Sequence, residues 1–227
     1  TRGISRITQT GINSLNDSLM WLPEWALLAI IALLCWKLAS MRLAIGATAG
    51  LALIWNLGLW NPMIETLTLV VIATLVAVVI ALPVGIAAAL SERLYRLFMQ
   101  TMPAFVYLIP AIPFFGIGSV SAIFATVIFS MPPAIRFTTL GIRQVPTELI
   151  EAADAYGATR GQKLFKVQLP LSLPTVMAGI NQTIMLALSM VVIAAMIGAD
   201  GLGSEVWRAI QRLRPGDGFE AIPWTQT

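Results

Sequence analysis

Residues 148–170 read ELIEAADAYGATRGQKLFKVQLP and form a charged island between two long uncharged runs. Residues 97–135 and 167–199 contain no Asp, Glu, Lys or Arg. Runs of this length and composition are stable in hydrocarbon and unfavourable in water. The sequence therefore predicts an all-α, polytopic helical bundle in a membrane, with one charged segment that projects from the bilayer.

The composition of the whole chain excludes an ordinary soluble domain. Of its 227 residues, 58% are hydrophobic and only 11% are charged, whereas about a quarter of the residues of soluble domains are charged. The net charge of +3 does not indicate a nucleic-acid partner, because the basic residues are spread over short segments. The chain has no histidine and a single cysteine, Cys35, so we predict no disulfide framework, metal site or cofactor in it.

The charged island begins with a predicted helix and a turn. Thr147 follows Pro146 and suits the helix cap, while Glu148 and Glu151 place negative charge near the positive end of the helix dipole. Gly157 fits the left-handed conformation that closes a helix. We therefore expect one short helix between Thr147 and Gly157.

A second short helix is predicted directly after this turn. Thr159 and Gln162 have the spacing of a capping box, in which each side chain accepts a hydrogen bond from the backbone of the other residue. The helix would run until Pro170, because proline lacks a backbone donor. Residues 147–170 would then form a compact two-helix protrusion.

Six apolar segments are candidates for membrane crossing, which requires about 20 helical residues. They are residues 20–38, 43–60, 66–90, 101–115, 121–135 and 173–197. The first is interrupted by Pro23 and Glu24; we favour a crossing, and the alternative is a helix that lies partly in the interface. The polar residues 1–18 are either an amphipathic lead-in or a flexible tail.

Glycines and prolines subdivide these segments. Residues 116–119, Gly-Ile-Gly-Ser, mark a turn between the fourth and fifth segments. Prolines are expected to break both of these helices, namely Pro103, Pro110, Pro113, Pro132 and Pro133. Freed backbone groups at membrane depth must be buried in protein or line a cavity, so both crossings should lie inside the bundle. Gly46 and Gly50 would let another helix of the bundle approach closely.

The distribution of Lys and Arg predicts the orientation of the bundle. With the amino terminus outside, the inner side holds Lys37, Arg42, Arg93, Arg96, Arg136, Arg143, Arg160, Lys163 and Lys166. The outer side holds only Arg2, Arg6, Arg208, Arg212 and Arg214. Because an excess of positive charge marks the cytoplasmic side, residues 147–170 are expected in the cytoplasm, where ATP is available.

The spacing of residues in the charged island resembles a known signature. Glu151-Ala152-Ala153, Gly157 and residues 167–170, VQLP, are similar to the EAA motif of the membrane subunits of ATP-binding-cassette importers, which usually have Ile at position 167. Several residues at fixed spacing in a membrane context are far more specific than any one of them. The resemblance implies a coupling loop that binds a separate ATPase through Glu148, Glu151, Ala152, Ala153, Gly157, Leu169 and Pro170. The alternative is a solvated loop with well-capped helices.

The resemblance is closer still to the glycine betaine/proline permeases. It rests on KVQLPL at residues 166–171, AGINQT at 178–183, ALSMVV at 187–192 and PAFVY at 103–107. It implies a permease of the type I ABC importer class that acts as a homodimer in a bacterial or archaeal cell membrane and passes a compatible solute inward. Its partners would be an ABC ATPase, which binds ATP and Mg, and a substrate-binding protein.

The same resemblance predicts the division of the chain. Residues 1–64 would form a tail and two peripheral membrane helices, residues 65–213 the core permease domain, and residues 214–227 a carboxy-terminal tail. In this family another spanning helix follows the core, and residues 219–227 are too short and too polar to supply it.

Aromatic and polar residues are candidates for the solute pathway. A quaternary ammonium group can be held by aromatic faces without a formal anion. The candidates are Phe105, Tyr107, Phe114, Phe115, Asn181, Gln182, Thr183 and Ser189. Core packing of the aromatic rings and interhelical hydrogen bonds of the polar groups are the simpler explanations.

Three other classes of protein fit the sequence less well. The chain is not itself an ATPase, because Gly157, Gly161 and Lys163 lack the spacing of a phosphate-binding loop. An ion-coupled secondary carrier for small amines or amino acids is the main alternative, but carriers need ionisable groups in their spans, and the four strongest membrane segments have none. A channel or a structural scaffold gives no reason for the spacing of the EAA motif.

Overall fold

Helices account for the regular structure of the described part of the chain. The computed structural model describes residues 2–21, 23–38, 41–91, 94 and 113–211. Its helices are α1 (Arg2–Trp21), α2 (Glu24–Leu38), α3 (Met41–Asn56), α4 (Trp60–Leu90), α5 (Ser119–Arg143), α6 (Thr147–Ala155), α7 (Arg160–Lys163), a π-helical turn (Leu164–Gln168), α8 (Leu169–Met196) and α9 (Leu202–Gln211). The all-α prediction is confirmed.

Three helices of the described residues are long and apolar enough to cross a membrane. They are Trp60–Leu90, Ser119–Arg143 and Arg160–Met196, the last of which joins α7, the π-helical turn and α8 without a break. They contain the segments predicted at 66–90 and 121–135 and, apart from residue 197, the segment predicted at 173–197, and each is longer than its prediction. Ser119–Arg143 is the most buried of the three, in agreement with the predicted position inside the bundle.

The first two predicted crossings are shorter than expected. Helix α2 has 15 residues and α3 has 16, so at about 1.5 Å per residue each is shorter than the roughly 30 Å of hydrocarbon. The predicted bounds fail because residues 20 and 21 belong to α1 and Trp60 begins α4. Helices α2 and α3 pack against each other. Residues 2–21 form a helix, so the amphipathic lead-in fits and the flexible tail does not.

Prolines do not break the long helices, contrary to prediction. Helix α5 continues through Pro132 and Pro133 to Arg143, and α8 continues through Pro174. Pro170 does not end the second helix of the charged island, because the π-helical turn precedes it and α8 follows. The pyrrolidine ring clashes with the carbonyl four residues back, here that of Lys166, and the wider π-helical turn lies at that carbonyl. Pro103 and Pro110 lie outside the described residues.

The turn predicted at residues 116–119 is confirmed. Gly116 and Gly118 have φ angles of +81° and +137°, which side chains with a Cβ rarely adopt. Pro113, Phe114 and Phe115 directly before Gly116 are helical. Helix α5 starts directly after the turn.

The chain divides into two compact units. The first contains Thr1–Val71, Ala111–Ile123 and Val191–Thr227, and the second contains Ile72–Pro110 and Phe124–Met190. The first has a buried cluster of Leu27, Trp60, Met63 and Ile64. The second has a cluster of Ala81, Ala88, Ala134 and Ile135. The division predicted at residues 64 and 213 stays a prediction.

Glycines let the three long helices of the second unit approach closely. A Cβ placed on Gly85 of α4 would lie 2.7 Å from Thr138 Cβ of α5, and one on Gly179 of α8 would lie 2.6 Å from Phe137 Cβ. Gly141 of α5 meets Ser172 of α8 in the same way, at 3.0 Å. By contrast, Gly46 and Gly50 have nothing within 4 Å of an added Cβ, so the close approach predicted for them does not occur among the described residues.

Candidate functional site

The charged island folds as a short exposed helix in the second unit. Helix α6 has no buried residue, and Glu148 lies in its first turn. Pro146 occupies the cap position with φ −53° and ψ 134° and gives no side-chain hydrogen bond. The prediction that Thr147 caps this helix is therefore wrong, because the proline backbone already makes the turn into the helix and Thr147 becomes its first residue.

Gly157 closes α6 as predicted. Its φ angle is +74°, its N–H donates to Asp154 O at 2.9 Å, and the Ala158 N–H donates to Ala153 O at 3.0 Å. This pair of hydrogen bonds defines a Schellman motif, in which the left-handed residue after the cap reverses the chain. The sharp turn between α6 and α7 therefore depends on a backbone conformation that favours glycine.

The predicted capping box of the second helix is also confirmed. The Gln162 N–H donates to Thr159 Oγ1 at 3.3 Å, and the Thr159 N–H donates to Gln162 Oε1 at 2.9 Å. Two backbone donors at the start of α7 are thus satisfied. Residues 147–170 form a hairpin of two arms, which we call the coupling hairpin. Because α7 is continuous with α8, the second arm is the end of a long helix and not a separate short one.

An ion pair joins the two arms of the coupling hairpin. Lys163 Nζ lies 2.6 Å from Asp154 Oδ1 and donates to Asp154 Oδ2 at 2.9 Å. This pair was not predicted from the sequence, because residues nine apart meet only if the intervening turn reverses the chain. The signal was an acidic and a basic residue on either side of the predicted glycine turn.

The base of the hairpin is attached to the long helices. Arg143, the last residue of α5, donates from Nη2 to Ala88 O at 3.2 Å and from Nε to Ala89 O at 3.3 Å. These carbonyls lie at the end of α4, where a cation is stabilised by the helix dipole. Leu164 at the start of the π-helical turn is buried. The hairpin therefore projects from a base in which α4, α5 and α8 are packed together.

Most of the predicted coupling residues lie on the exposed surface of the hairpin. Glu148, Glu151, Ala152, Gly157 and Pro170 are exposed, while Ala153 and Leu169 are half-buried. Among the described residues, no ion pair or side-chain hydrogen bond is found for either glutamate. Tyr156 and Phe165, which the sequence analysis did not single out, are 93% and 66% exposed. This surface carries free carboxylates, small side chains and two aromatic rings.

The predicted pathway residues are divided between the two units. Phe114 and Phe115 belong to the first, where Phe114 is exposed and Phe115 is half-buried, and Phe105 and Tyr107 lie outside the described residues. In α8, Thr183 is buried and donates to Gly179 O, and Ser189 donates to Met185 O. These hydroxyl groups bond within their own helix and not between helices. Asn181 and Gln182 are exposed, and the pathway stays a prediction.

A small polar cavity of about 130 Å³ lies in the first unit. Its polar lining residues are Gln9, Asn13, Asn16, Glu65, Ser119 and Asp200. The hydroxyl of Thr68 donates to Asn16 Oδ1 at 2.6 Å and ties α1 to α4. Glu65 lies just before the crossing predicted at 66–90, but α4 begins at Trp60 and includes it in its second turn.

Comparison with known proteins gives consistent results. Residues 93–218 match the family described as binding-protein-dependent transport system inner membrane component. The chain is 50% identical over 225 residues to the glycine betaine transport system permease protein OpuAB of Bacillus subtilis, which covers 96% of this chain and 80% of that protein. It is 50% identical over 233 residues to the glycine betaine/carnitine transport permease protein GbuB of Listeria monocytogenes, covering 96% and 83%.

A solved structure is also similar. It is the inward-facing MetNI methionine ABC transporter, with a TM-score of 0.61 and 25% sequence identity, over 68% of this chain and 83% of the matched one.

Proposed function

The chain belongs to the family of binding-protein-dependent transport system inner membrane components, and from this premise we propose that it carries glycine betaine or a related compatible solute inward. It is a permease subunit of an ABC importer, and it is not an enzyme. The solute class is inferred from OpuAB and GbuB, whose names specify glycine betaine transport. The observation that carries the proposal is 50% identity to OpuAB over 96% of the chain.

The importer works with an ATPase and a substrate-binding partner. ATP and Mg would bind to the ATPase subunit, because the spacing of Gly157, Gly161 and Lys163 does not fit a phosphate-binding loop. The substrate-binding protein would provide the main recognition of the solute. Proline or another amine or amino acid is a further possible cargo, to be distinguished by competition.

The coupling hairpin would bind the ATPase subunit. Glu148 and Glu151 would pair with Arg or Lys groups of the partner, where charge-assisted hydrogen bonds are strong, and Ala152 and Ala153 would allow close approach. Tyr156 and Phe165 supply the large aromatic surface that dominates many interfaces. The second arm of the hairpin runs into α8 at Leu169 and Pro170 without a break. A displacement of α6 that is passed to this arm would therefore reach a membrane-spanning segment.

A second copy of the permease would complete the pathway, with residues 147–170 of each copy in the cytoplasm. The excess of Lys and Arg on that side supports this orientation. Clamping of two ATPase subunits by ATP would move both hairpins and rock the bundle between inward-open and outward-open states. Aromatic residues such as Phe105 and Tyr107 would line the pathway for the quaternary ammonium group.

Ion-coupled secondary transport is the less favoured function. Glu65 is the only acidic residue in the sequence of the three long helices, and it lies near the end of one of them. The family of this chain is a component of binding-protein-dependent transport systems, and the similar solved structure is an ABC transporter. The proposed function therefore predicts a requirement for ATP and none for an ion gradient.

Uptake of labelled glycine betaine tests this function directly. Vesicles would contain the chain, its ATPase and its substrate-binding protein, with ATP inside or outside and with or without an imposed ion gradient. We expect uptake only where ATP reaches the ATPase, and competition by unlabelled carnitine, proline, choline and trimethylamine N-oxide would rank the cargo. Uptake driven by the ion gradient without ATP would refute the proposal.

A further inference from the structure

Helix α6 has few contacts that could hold it in a fixed orientation. The helix has only nine residues and none of them is buried, and isolated helices shorter than about 12 residues are marginal in water. Packing against the rest of the chain therefore holds α6 only weakly, through the half-buried Ile150 and Ala153. The backbone hydrogen bonds around Gly157 close its end, but they lie within one turn and leave the direction of the helix to neighbouring contacts.

Asp154 and Lys163 form a direct contact between the two arms of the hairpin. Asp154 lies in the last turn of α6, and Lys163 is the last residue of α7, which continues into α8. Within the part of the chain that the structure describes, this pair is the only side-chain hydrogen bond or ion pair between α6 and α7. One ammonium group meets both carboxylate oxygens, at 2.6 and 2.9 Å.

The surroundings of the pair favour a lasting contact. The Lys163 side chain is only 20% exposed, whereas Asp154 is 53% exposed, so water competes mainly for the carboxylate. The capping box of Thr159 and Gln162 fixes the start of α7 and so limits where the Lys163 side chain can reach. Gly157 sets the reversal that brings the two residues together. Three local features thus converge on one cross-link between the arms.

We propose that Asp154 and Lys163 are a positioning pair that makes α6 and the long helix Arg160–Met196 move as one body when the ATPase subunit displaces α6. The inference rests on the proposed function of the coupling hairpin and adds two residues outside the EAA motif. With the pair closed, displacement of α6 is passed to the membrane-spanning part of α8. With the pair open, α6 pivots at Gly157, and ATP is hydrolysed with less solute moved.

The test measures solute molecules taken up per ATP hydrolysed in reconstituted vesicles. The variants are Asp154→Ala and Lys163→Met, which each remove one partner, and the exchange Asp154→Lys with Lys163→Asp. The matched control is Lys37→Met, which removes the same charge from an exposed lysine of α2, outside the coupling hairpin; among the described residues no pairing is found for it. Co-purification of the ATPase with each variant is measured in parallel.

The expected effect follows from the strength of such pairs. Partly exposed ion pairs change equilibria by about two- to fivefold, so each single variant should lower the uptake per ATP by about that factor while the ATPase still co-purifies. The exchange should restore most of the ratio. Lys163→Arg keeps the charge and should keep a ratio close to that of the wild type, so it tests the pair even if Lys163→Met folds poorly. Lys37→Met should match the wild type.

Three outcomes would overturn the positioning role. An unchanged ratio in Asp154→Ala would show that the cross-link does not transmit movement. Failure of the exchange to restore the ratio, or loss of the ATPase from a single variant, would show that the residues contact the ATPase directly. The wild-type vesicles separate this inference from the proposed function, because absence of ATP-dependent uptake in them would refute that function whatever the variants do.

Discussion

Gly157 is the residue on which the coupling hairpin most depends. Its φ angle of +74° lies in the left-handed region, where a residue with a Cβ costs about 1–3 kcal/mol. The strain would fall at the turn between α6 and α7, which precedes the candidate span Arg160–Met196 and lies outside it. Substitution should therefore damage coupling and spare membrane insertion.

The variant Gly157→Val tests this dependence. We expect normal insertion, retained ATP hydrolysis and a reduced uptake per ATP, because a strained turn misdirects α6. The matched control is Gly161→Val, since an added Cβ at Gly161 meets nothing within 4 Å and its φ angle is not positive. Normal uptake with Gly157→Val, or an equal loss with Gly161→Val, would contradict this reading of the turn.

At this scale, local rules predicted what depends on neighbours in sequence. Gly157 and the Thr159–Gln162 capping box follow from backbone preferences over four residues, and the structure has both. The cap at Thr147 failed because Pro146 sets the entry of the helix through its own backbone. The pair of Asp154 and Lys163 depends on the direction in which two helices leave a turn, which local preferences do not determine.

Among the helices, glycines have opposite roles in different places. Gly179 of α8 faces Phe137 of α5, with only 2.6 Å from an added Cβ to Phe137 Cβ, while Gly46 of α3 faces open space. An added methyl group in a closely packed contact typically costs about 1–3 kcal/mol. In open space it gains up to about 1 kcal/mol, because alanine is the better helix former.

Gly179→Ala and Gly46→Ala should therefore change the thermal stability in opposite directions. Gly179→Ala should lower the midpoint of thermal unfolding in detergent, because α5 and α8 must move apart, and Gly46→Ala should leave it unchanged or raise it. The loss of monodisperse protein after heating, followed by size-exclusion chromatography, measures both. Equal destabilisation by the two variants would show that the packing of α5 against α8 is not special.

Periodicity and composition were insufficient to predict where the helices begin and end. Apolar runs located the three long helices, but prolines were given too much weight. Pro132, Pro133 and Pro174 lie within continuous helices, as membrane helices allow when neighbouring groups satisfy the freed carbonyls. The start of α4 at Trp60 was missed because Trp60 was assigned to the end of the segment 43–60 and the next segment was started after Glu65, which lines a polar cavity.

For the whole molecule, the class of transporter was predictable and the solute pathway was not. A motif identified the family because several residues at fixed spacing are far more specific than any one of them. Whether the aromatic and polar candidates line the pathway depends on which sides of the helices are turned towards it. Thr183 and Ser189 illustrate the difficulty, since their hydroxyl groups are satisfied within α8 and give no sign of a solute.

The central claim is that the coupling hairpin meets the ATPase on the cytoplasmic side. It is tested most directly by crosslinking in a Cys35→Ala background, with Ala152→Cys on the exposed surface of α6 and Gln211→Cys at the exposed end of α9 as the control. Ala152→Cys should crosslink to the ATPase subunit and react with an impermeant maleimide only in inverted vesicles. Gln211→Cys, on the predicted outer side, should not crosslink and should react with the maleimide from outside intact cells. Labelling of Ala152→Cys from outside intact cells, with no crosslink to the ATPase, would contradict the claim.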